Sequence, residues 1–291
     1  MKVAVLVTGL PRFVNEGAWW FNHKSNYPND KYEMDFFVHS WADETFRPAL
    51  EDAWHPKKIQ IGYFDKEINE FIEMVREYNY RCDKLKYFNQ NLNETIFFNT
   101  SSPSEYTKNF FGQYISAYRV TNMLKNYMKE DNLMGDYYDW IIRIRMDTIM
   151  HPQVHETWAK IFKILNSSEW YRSKVYTSWL HIKSSLPFIG DYVFISSTDV
   201  WLNYTNNFYD NLYNLLTKDK FLLYDLNFFK DMIAHYFWIR LAIYSKTSFV
   251  PITGIFPMNF EAILLREGIN IPIEHCTYED IKSNYIKDQA T

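Results

Sequence analysis

The stretch Asp139-Trp140-Ile141-Ile142-Arg143-Ile144-Arg145-Met146-Asp147-Thr148-Ile149-Met150 places two arginines and an aspartate inside an otherwise apolar run. Ile142, Ile144 and Met146 alternate with the three charged residues, which is the period of a β-strand with one apolar and one polar face. We expect the apolar face to pack in the core and the polar face to present two cations and a carboxylate. The pattern predicts a strand inside an α/β sheet.

Asp147 stands at the C-terminal end of this predicted strand. In open α/β sheets, ligands bind in the crevice outside the carboxyl ends of the strands. A divalent cation held by Asp147 would bind a diphosphate there, and Arg143 and Arg145 would help to neutralise it. The alternative is that the three charged side chains form a structural ion-pair ladder on an edge strand, since charge networks are also built for structure.

The composition is that of a folded protein with a sizeable core, because 47% of the residues are hydrophobic and 23% are charged. Aromatic residues make up 19%. Such an excess suits half-wet surfaces such as sugar-binding clefts, and a coding bias toward Phe, Tyr, Asn and Ile explains it equally well. The net charge of −4 and the pI near 6.1 argue against a nucleic-acid-binding surface, which needs a basic footprint.

The N-terminal run Val3-Ala4-Val5-Leu6-Val7 is interrupted by Thr8-Gly9-Leu10-Pro11-Arg12 before the apolar region of a signal peptide is complete. We interpret it as a first buried strand. No stretch approaches the roughly 20 apolar residues that cross a bilayer. Cys82 and Cys276 fit neither a disulfide framework nor a zinc site. These features predict a cytoplasmic protein without a transmembrane segment.

Strand and helix patterns alternate along the chain. Strands are predicted at 2–8, 34–39, 57–63, 139–150, 174–180, 192–197 and 248–253, and helices at 66–78, 104–129, 155–165, 199–216 and 221–245. The segment 82–103 is predicted to be a loop or small insertion, and a connection with Pro187 and Gly190 precedes the strand at 192. The alternation predicts an α/β fold with a mainly parallel sheet and helices on both faces.

In their order along the chain, five short motifs resemble those of GT-A glycosyltransferases, in particular lipopolysaccharide- and capsule-type or viral members. The matching pieces are Thr8-Gly9-Leu10-Pro11-Arg12-Phe13, Phe37-Val38-His39-Ser40-Trp41, Gln113-Tyr114-Ile115-Ser116-Ala117, Arg143-Ile144-Arg145-Met146-Asp147 and Gly190-Asp191-Tyr192-Val193-Phe194-Ile195-Ser196-Ser197. The resemblance implies one GT-A-like, Rossmann-like domain over 1–291, with a nucleotide-binding half at 1–150 and an acceptor half with C-terminal helices at 151–291.

The resemblance also implies an activity: a sugar moves from a nucleotide-sugar donor to a glycan, glycoprotein or other hydroxyl acceptor in polysaccharide biosynthesis. For a viral chain the compartment would be the host cytoplasm. A divalent cation, Mn²⁺ or Mg²⁺, would bridge the diphosphate to an acidic motif, with Asp147 as its ligand. The family's Asp-x-Asp needs a second carboxylate, which Met146-Asp147-Thr148-Ile149 does not supply. These cations keep several waters and borrow phosphate oxygens, and Arg143 and Arg145 match phosphate bidentately.

The turn after the first strand supplies three donor-site candidates, Gly9, Pro11 and Arg12. The glycine permits close approach of the backbone to phosphate or ribose, and the arginine would pair with the diphosphate. A tight turn with an exposed arginine is the alternative interpretation. With 39–41 and 145–148, residues 8–12 are expected to form the ligand crevice.

Four further donor-site candidates lie after the second strand and on the long predicted helix. His39 and Trp41 would stack on the base or ribose, although a histidine at a strand end is more often structural. Gln113 and Ser116 share one helix face and would reach the nucleotide, or form part of a solvated polar stripe.

Asp191 is the candidate general base, because an inverting transfer needs a carboxylate that takes the proton of the acceptor hydroxyl. It follows Pro187-Phe188-Ile189-Gly190 and directly precedes a predicted strand. The alternative is an aspartate that holds a turn through an Asx bond.

Two other functions compete with glycosyl transfer. Gly-x-Pro-Arg after a first strand is also similar to the phosphosulfate-binding loop of sulfotransferases, but here Phe13-Val14-Asn15-Glu16 follows, with no hydroxyl or glycine donors for phosphate. The other alternative is a non-catalytic carbohydrate-binding protein on a degenerate transferase fold, which the missing second carboxylate favours.

Overall fold

The computed structural model describes residues 1–19, 21, 32–70, 105–133, 135, 137–150, 158–177, 180–183, 186–189, 192–206, 211, 238, 242, 245–251 and 262–264. A seven-stranded sheet forms its centre. Its strands are β1 (Lys2–Gly9), β2 (Glu33–Trp41), β3 (Lys58–Gly62), β4 (Trp140–Arg145), β6 (Lys174–Thr177), β9 (Val193–Ser197) and β10 (Ser248–Pro251). In space they lie in the order β3-β2-β1-β4-β9-β6-β10.

The sheet is mainly parallel, as the sequence predicts. β3, β2, β1 and β4 run parallel to one another, and β10 runs parallel to β6. Only β9, among the strands of this sheet, runs antiparallel to its neighbours β4 and β6. The α/β class is thus confirmed.

The central strand β1 reads as an uninterrupted apolar run because both of its faces are covered. Residues 3–7 have no exposed surface, which is typical of strands buried on two sides. Its register aligns Thr8 with His39 of β2 and with Arg145 of β4. The three strands therefore reach the same edge of the sheet together.

Helices cover both faces of the sheet, as predicted. The described helices are α1 (Val14–Trp19), α2 (Arg47–Trp54), α3 (Glu105–Glu130), α4 (Trp158–Leu165), α5 (Glu169–Arg172) and α6 (Thr198–Thr205), and residues 64–70 are also helical. On one face, α1, α2 and α4 pack on alternate residues of β1, β4 and β9. On the other, α3 lies over β1 and β2, and Trp201 of α6 contacts Phe194 of β9.

The decisive stretch differs from its prediction in two ways. The predicted strand 139–150 is broken, because β4 ends at Arg145, a turn follows at Met146-Asp147, and β5 (Thr148–Met150) pairs with β11 (Ala262–Leu264). The break occurs beside the end of β1. There the N–H of Met146 still donates to the carbonyl oxygen of Thr8, but β1 ends at Gly9 and offers β4 no further strand to pair with. The expected polar face is also wrong: helices cover both faces, and Arg143 is buried.

A second difference concerns the connection before β9, where the sequence predicts no strand. There β7 (Leu180–Lys183) and β8 (Leu186–Ile189) form an antiparallel pair, in which Pro187 lies opposite Ile182. A two-stranded ribbon tolerates a proline because each strand has one unpaired edge. The N–H that proline lacks would face that edge and would make no hydrogen bond to the other strand.

Other predicted elements lie partly or wholly outside the described residues. These are the end of the helix 66–78, the loop 82–103, the start of the helix 155–165, most of the helix 221–245 and the end of the strand 248–253. The predicted helix 199–216 is wrong in extent, because α6 ends at Thr205 and the backbone of Asn206 is extended. Within the described chain, no helix is both long enough and apolar enough to cross a bilayer.

Candidate active site

The sheet changes winding direction between β1 and β4. From β1 the chain continues through α1 to β2 on one side, whereas β4 lies on the other side. At such a point the loops leave the carboxyl ends in opposite directions and open a crevice for a ligand. Gly9 pairs with Ser40, and Met146 donates its N–H to the carbonyl oxygen of Thr8 at 3.0 Å. Gly9 and the Asp147 turn therefore lie at one edge, as the predicted crevice requires.

The turn after β1 depends on glycine. Gly9 has a φ of 132°, a conformation that side chains with a Cβ rarely adopt. Its carbonyl oxygen accepts a hydrogen bond from Ser40 Oγ at 3.2 Å, which ties the turn to the end of β2. Pro11 is half-buried and Arg12 is exposed beyond it. The turn thus presents backbone and one cation at the mouth of the crevice.

Arg145 and Asp147 form a bidentate ion pair at the end of β4. Arg145 Nε lies 3.0 Å from Asp147 Oδ1, and Nη2 lies 2.9 Å from Oδ2. The two side chains are 21% and 13% exposed. Of the structural ion-pair ladder, only the Arg145–Asp147 contact is present, and the strand is central and not at an edge.

Arg143 does not join this pair, although the sequence groups the two arginines. It is 1% exposed. Its guanidinium carbon lies 5.6 Å from the ring centroids of both Phe194 and Trp238, a cation–π arrangement under the helical layer. Arg143 stands two residues before the end of β4, on a face of the sheet that is covered. Its side chain is therefore buried below the crevice and does not reach the crevice surface.

The residues predicted to stack on the base form an internal cluster. His39 and Ser116 are fully buried and Trp41 nearly so. His39 Nδ1 lies 2.7 Å from Ser116 Oγ, and Trp41 Nε1 donates to the carbonyl oxygen of Gly112 at 2.9 Å. The cluster fastens α3 to β2. His39 and Trp41 are therefore not placed to stack on a surface ligand, and Ser116 is not placed to reach the nucleotide. Gln113 beside them is half-buried.

Burial controls the protonation of His39. Desolvation, and secondly the charge of Arg119, lower its pKa from 6.5 to about 3. Since the unfolded chain binds the proton more tightly, the stability that depends on neutral His39 is fully present above pH 6.5. It is lost as the pH falls from 6.5 toward 3.

We therefore expect the free energy of unfolding to fall by about 2 kcal/mol between pH 7 and pH 5 on account of this one group. Urea unfolding at the two pH values, compared with His39→Gln, measures this share, because the variant lacks the titrating group. His55→Asn, at an exposed position, is the control and should keep the wild-type dependence. An equal dependence in wild type and His39→Gln would contradict the prediction.

The described residues at this edge do not fit a divalent cation. Asp147 is the predicted ligand, and both of its oxygens already accept from Arg145. No group of three His, Cys, Asp or Glu side chains able to hold a metal ion occurs within the described residues. A hard cation prefers several oxygen ligands, and here it would meet one carboxylate and a neighbouring guanidinium.

Asp191 and Gly190 lie outside the described residues. The next residue, Tyr192, is described and was not predicted as a site residue. Its carbonyl oxygen accepts a hydrogen bond from Arg145 N at 3.2 Å, and the Arg145 guanidinium carbon lies 5.9 Å from its ring centroid. The antiparallel course of β9 brings Tyr192 to the crevice edge.

Gly17 is a second residue that the sequence analysis missed. It lies in α1, and a Cβ built there would overlap the carbonyl oxygen of Met146. The helix therefore touches the turn between β4 and β5 directly. The sequence does offer a signal in Glu16-Gly17-Ala18. Glycine weakens a helix, so a glycine inside a short helix indicates a place where another part of the chain approaches closely.

No family model matches this chain, and no curated protein matches it in sequence. Among solved structures, mouse xyloside xylosyltransferase 1, in its apo form, aligns over 87% of this chain and 85% of its own at a TM-score of 0.41 and 8% identity. A glycosyltransferase involved in the glycosylation of the major capsid of PBCV-1 aligns over 98% of this chain and 100% of its own, at a TM-score of 0.39 and 7% identity.

Proposed function

We propose that this chain is a glycosyltransferase that moves a sugar from a nucleotide-sugar donor to a hydroxyl group of a glycan or glycoprotein. The observation that carries the proposal is the crevice at the winding change between β1 and β4. There Gly9 and the half-buried Arg145 lie at one edge, and the exposed Arg12 follows three residues after Gly9. Guanidinium groups match phosphate oxygens bidentately, so this edge suits the diphosphate of a donor.

The proposed reaction forms one bond and breaks one. The oxygen of the acceptor hydroxyl bonds to the anomeric carbon of the donor sugar while the bond from that carbon to the diphosphate oxygen breaks. The nucleoside diphosphate leaves with the electron pair, and its charge is balanced by Arg12 and Arg145. In an inverting transfer the carboxylate of Asp191 takes the hydroxyl proton.

We expect thermal unfolding of the full chain to shift upward with one of the UDP-, GDP- or dTDP-sugars, tested with and without Mn²⁺. A ligand at about 100 times its Kd stabilises the folded state by about 2.7 kcal/mol, which is readily detected as a rise in Tm. Release of free sugar from the same donor then separates an enzyme from a carbohydrate-binding protein that cleaves no donor.

Arg12→Ala and Arg172→Ala form a matched pair for this screen. Arg172 belongs to α5, before the start of β6, and therefore lies at the opposite edge of the sheet. Only Arg12→Ala should diminish the shift in Tm. Equal shifts in both variants, or no shift with any donor, would contradict the proposed site.

A further inference from the structure

We propose that the donor diphosphate is neutralised by the guanidinium group of Arg145, in the place where a divalent cation held by Asp147 would otherwise stand. This inference rests on the proposed function and specifies how its site handles charge. It starts from the bidentate pair at the end of β4, in which the two oxygens of Asp147 each lie within 3.0 Å of an Arg145 nitrogen.

The backbone holds Arg145 firmly at this position. Its own N–H donates to the carbonyl oxygen of Tyr192, and the next N–H, that of Met146, donates to Thr8. Met146 is itself buried. The β4 end is thus tied to β9 on one side and to β1 on the other, and Asp147 fixes the guanidinium that projects from it. A cation held this way costs little reorganisation when a charged ligand arrives.

The same pair disfavours a metal ion in the described part of the site. A divalent cation bound to Asp147 would have to displace a bidentate guanidinium, and that positive group would remain two residues away. The carboxylate and the diphosphate both accept from guanidinium in the same fork geometry. Because a guanidinium carries five N–H donors, incoming phosphate oxygens can share Arg145 with Asp147.

Isothermal titration calorimetry of the full chain tests this inference. The ligand is the nucleoside diphosphate of whichever donor raises the Tm. We expect the affinity in excess EDTA to lie within about twofold of the affinity in Mn²⁺, because protein cations supply the charge. Arg145→Ala should weaken binding by about 10–100-fold, the range for a lost charge-assisted hydrogen bond. Arg145→Lys should fall between, since it keeps the charge and loses the fork.

Arg145→Asp gives the sharpest contrast, because it places a second carboxylate two residues before Asp147. We expect this variant to acquire a Mn²⁺ requirement for nucleotide binding, and a Mn²⁺ site visible by electron paramagnetic resonance. If Arg145→Asp does not fold, two other measurements test the inference. They are the nucleotide affinity of the wild type in EDTA against Mn²⁺, and the nucleotide affinity of Arg145→Lys.

Three results would count against the inference, and they are distinguishable from failure of the proposed function. Nucleotide binding that requires Mn²⁺ in the wild type overturns the inference alone. So does one bound Mn²⁺ per wild-type chain that Asp147→Asn abolishes. Absence of nucleotide binding under both conditions contradicts the proposed function as well.

Discussion

Replacing Asp191 by alanine is expected to lower the turnover of acceptor-dependent transfer by about 10²–10⁴-fold, the range for a lost general acid–base group. Donor affinity should change little, because the diphosphate is proposed to bind to other residues. The described neighbour supports this prediction: Tyr192 is hydrogen-bonded to Arg145 at the crevice edge. Steady-state kinetics with saturating donor and varied acceptor, together with titration of the nucleoside diphosphate, measure the two effects separately.

Asp199→Ala is the matched control for this prediction. Asp199 is exposed in the first turn of α6, beyond the far end of β9, and so lies at the opposite edge of the sheet. Its loss should leave turnover nearly unchanged. If Asp191→Ala lowers Tm and loses activity only in proportion to the folded fraction, Asp191 is a turn residue and not the base.

Gly17→Ala is expected to destabilise the protein by about 1–3 kcal/mol, the usual cost of forcing extra volume into a packed site. The added methyl group would overlap the carbonyl oxygen of Met146, and neither partner is a flexible side chain that can swing aside. The helix α1 must then move away from the turn that carries Arg145 and Asp147. Chemical unfolding measures the loss of stability, and titration of the nucleoside diphosphate measures the accompanying loss of affinity.

The same substitution at Gly135 is the control for this prediction. A Cβ at Gly135 meets no atom within 4 Å, so Gly135→Ala lacks the overlap and should cost little stability. If the two alanine variants unfold at the same denaturant concentration, the contact between α1 and the β4–β5 turn does not constrain the fold.

The position of the crevice was predictable because it depends on chain order. An apolar run at 3–7, a turn at Gly9 and a charged strand end at Asp147 suffice to predict a common edge, since parallel strands end on the same side. The order of these three segments along the chain is therefore enough to predict where the crevice lies. The structure confirms that the two ends lie together, and the chemical roles assigned to them stay predictions.

The direction and burial of individual side chains could not be predicted in the same way. Alternation in a strand separates Arg143 from Ile144 into two faces, but it does not say whether a helix covers the polar face. That cover comes from Trp238, far away in sequence, while Phe194 flanks Arg143 from the neighbouring strand β9. His39 is buried for the same reason, because α3 returns over β2 and brings Ser116 to it. Such long-range contacts leave no local periodicity.

The pairing of β1 with β4 has a consequence for synthesis on the ribosome. β1 meets β2 early, but its other neighbour begins only at Trp140. At roughly 5–20 residues per second, the chain between Gly62 and Trp140 takes about 4–16 s to emerge. During that interval one side of an uninterrupted apolar strand has no native partner, and such an edge pairs readily with other chains. We expect the nascent chain to depend on holding chaperones until β4 is released.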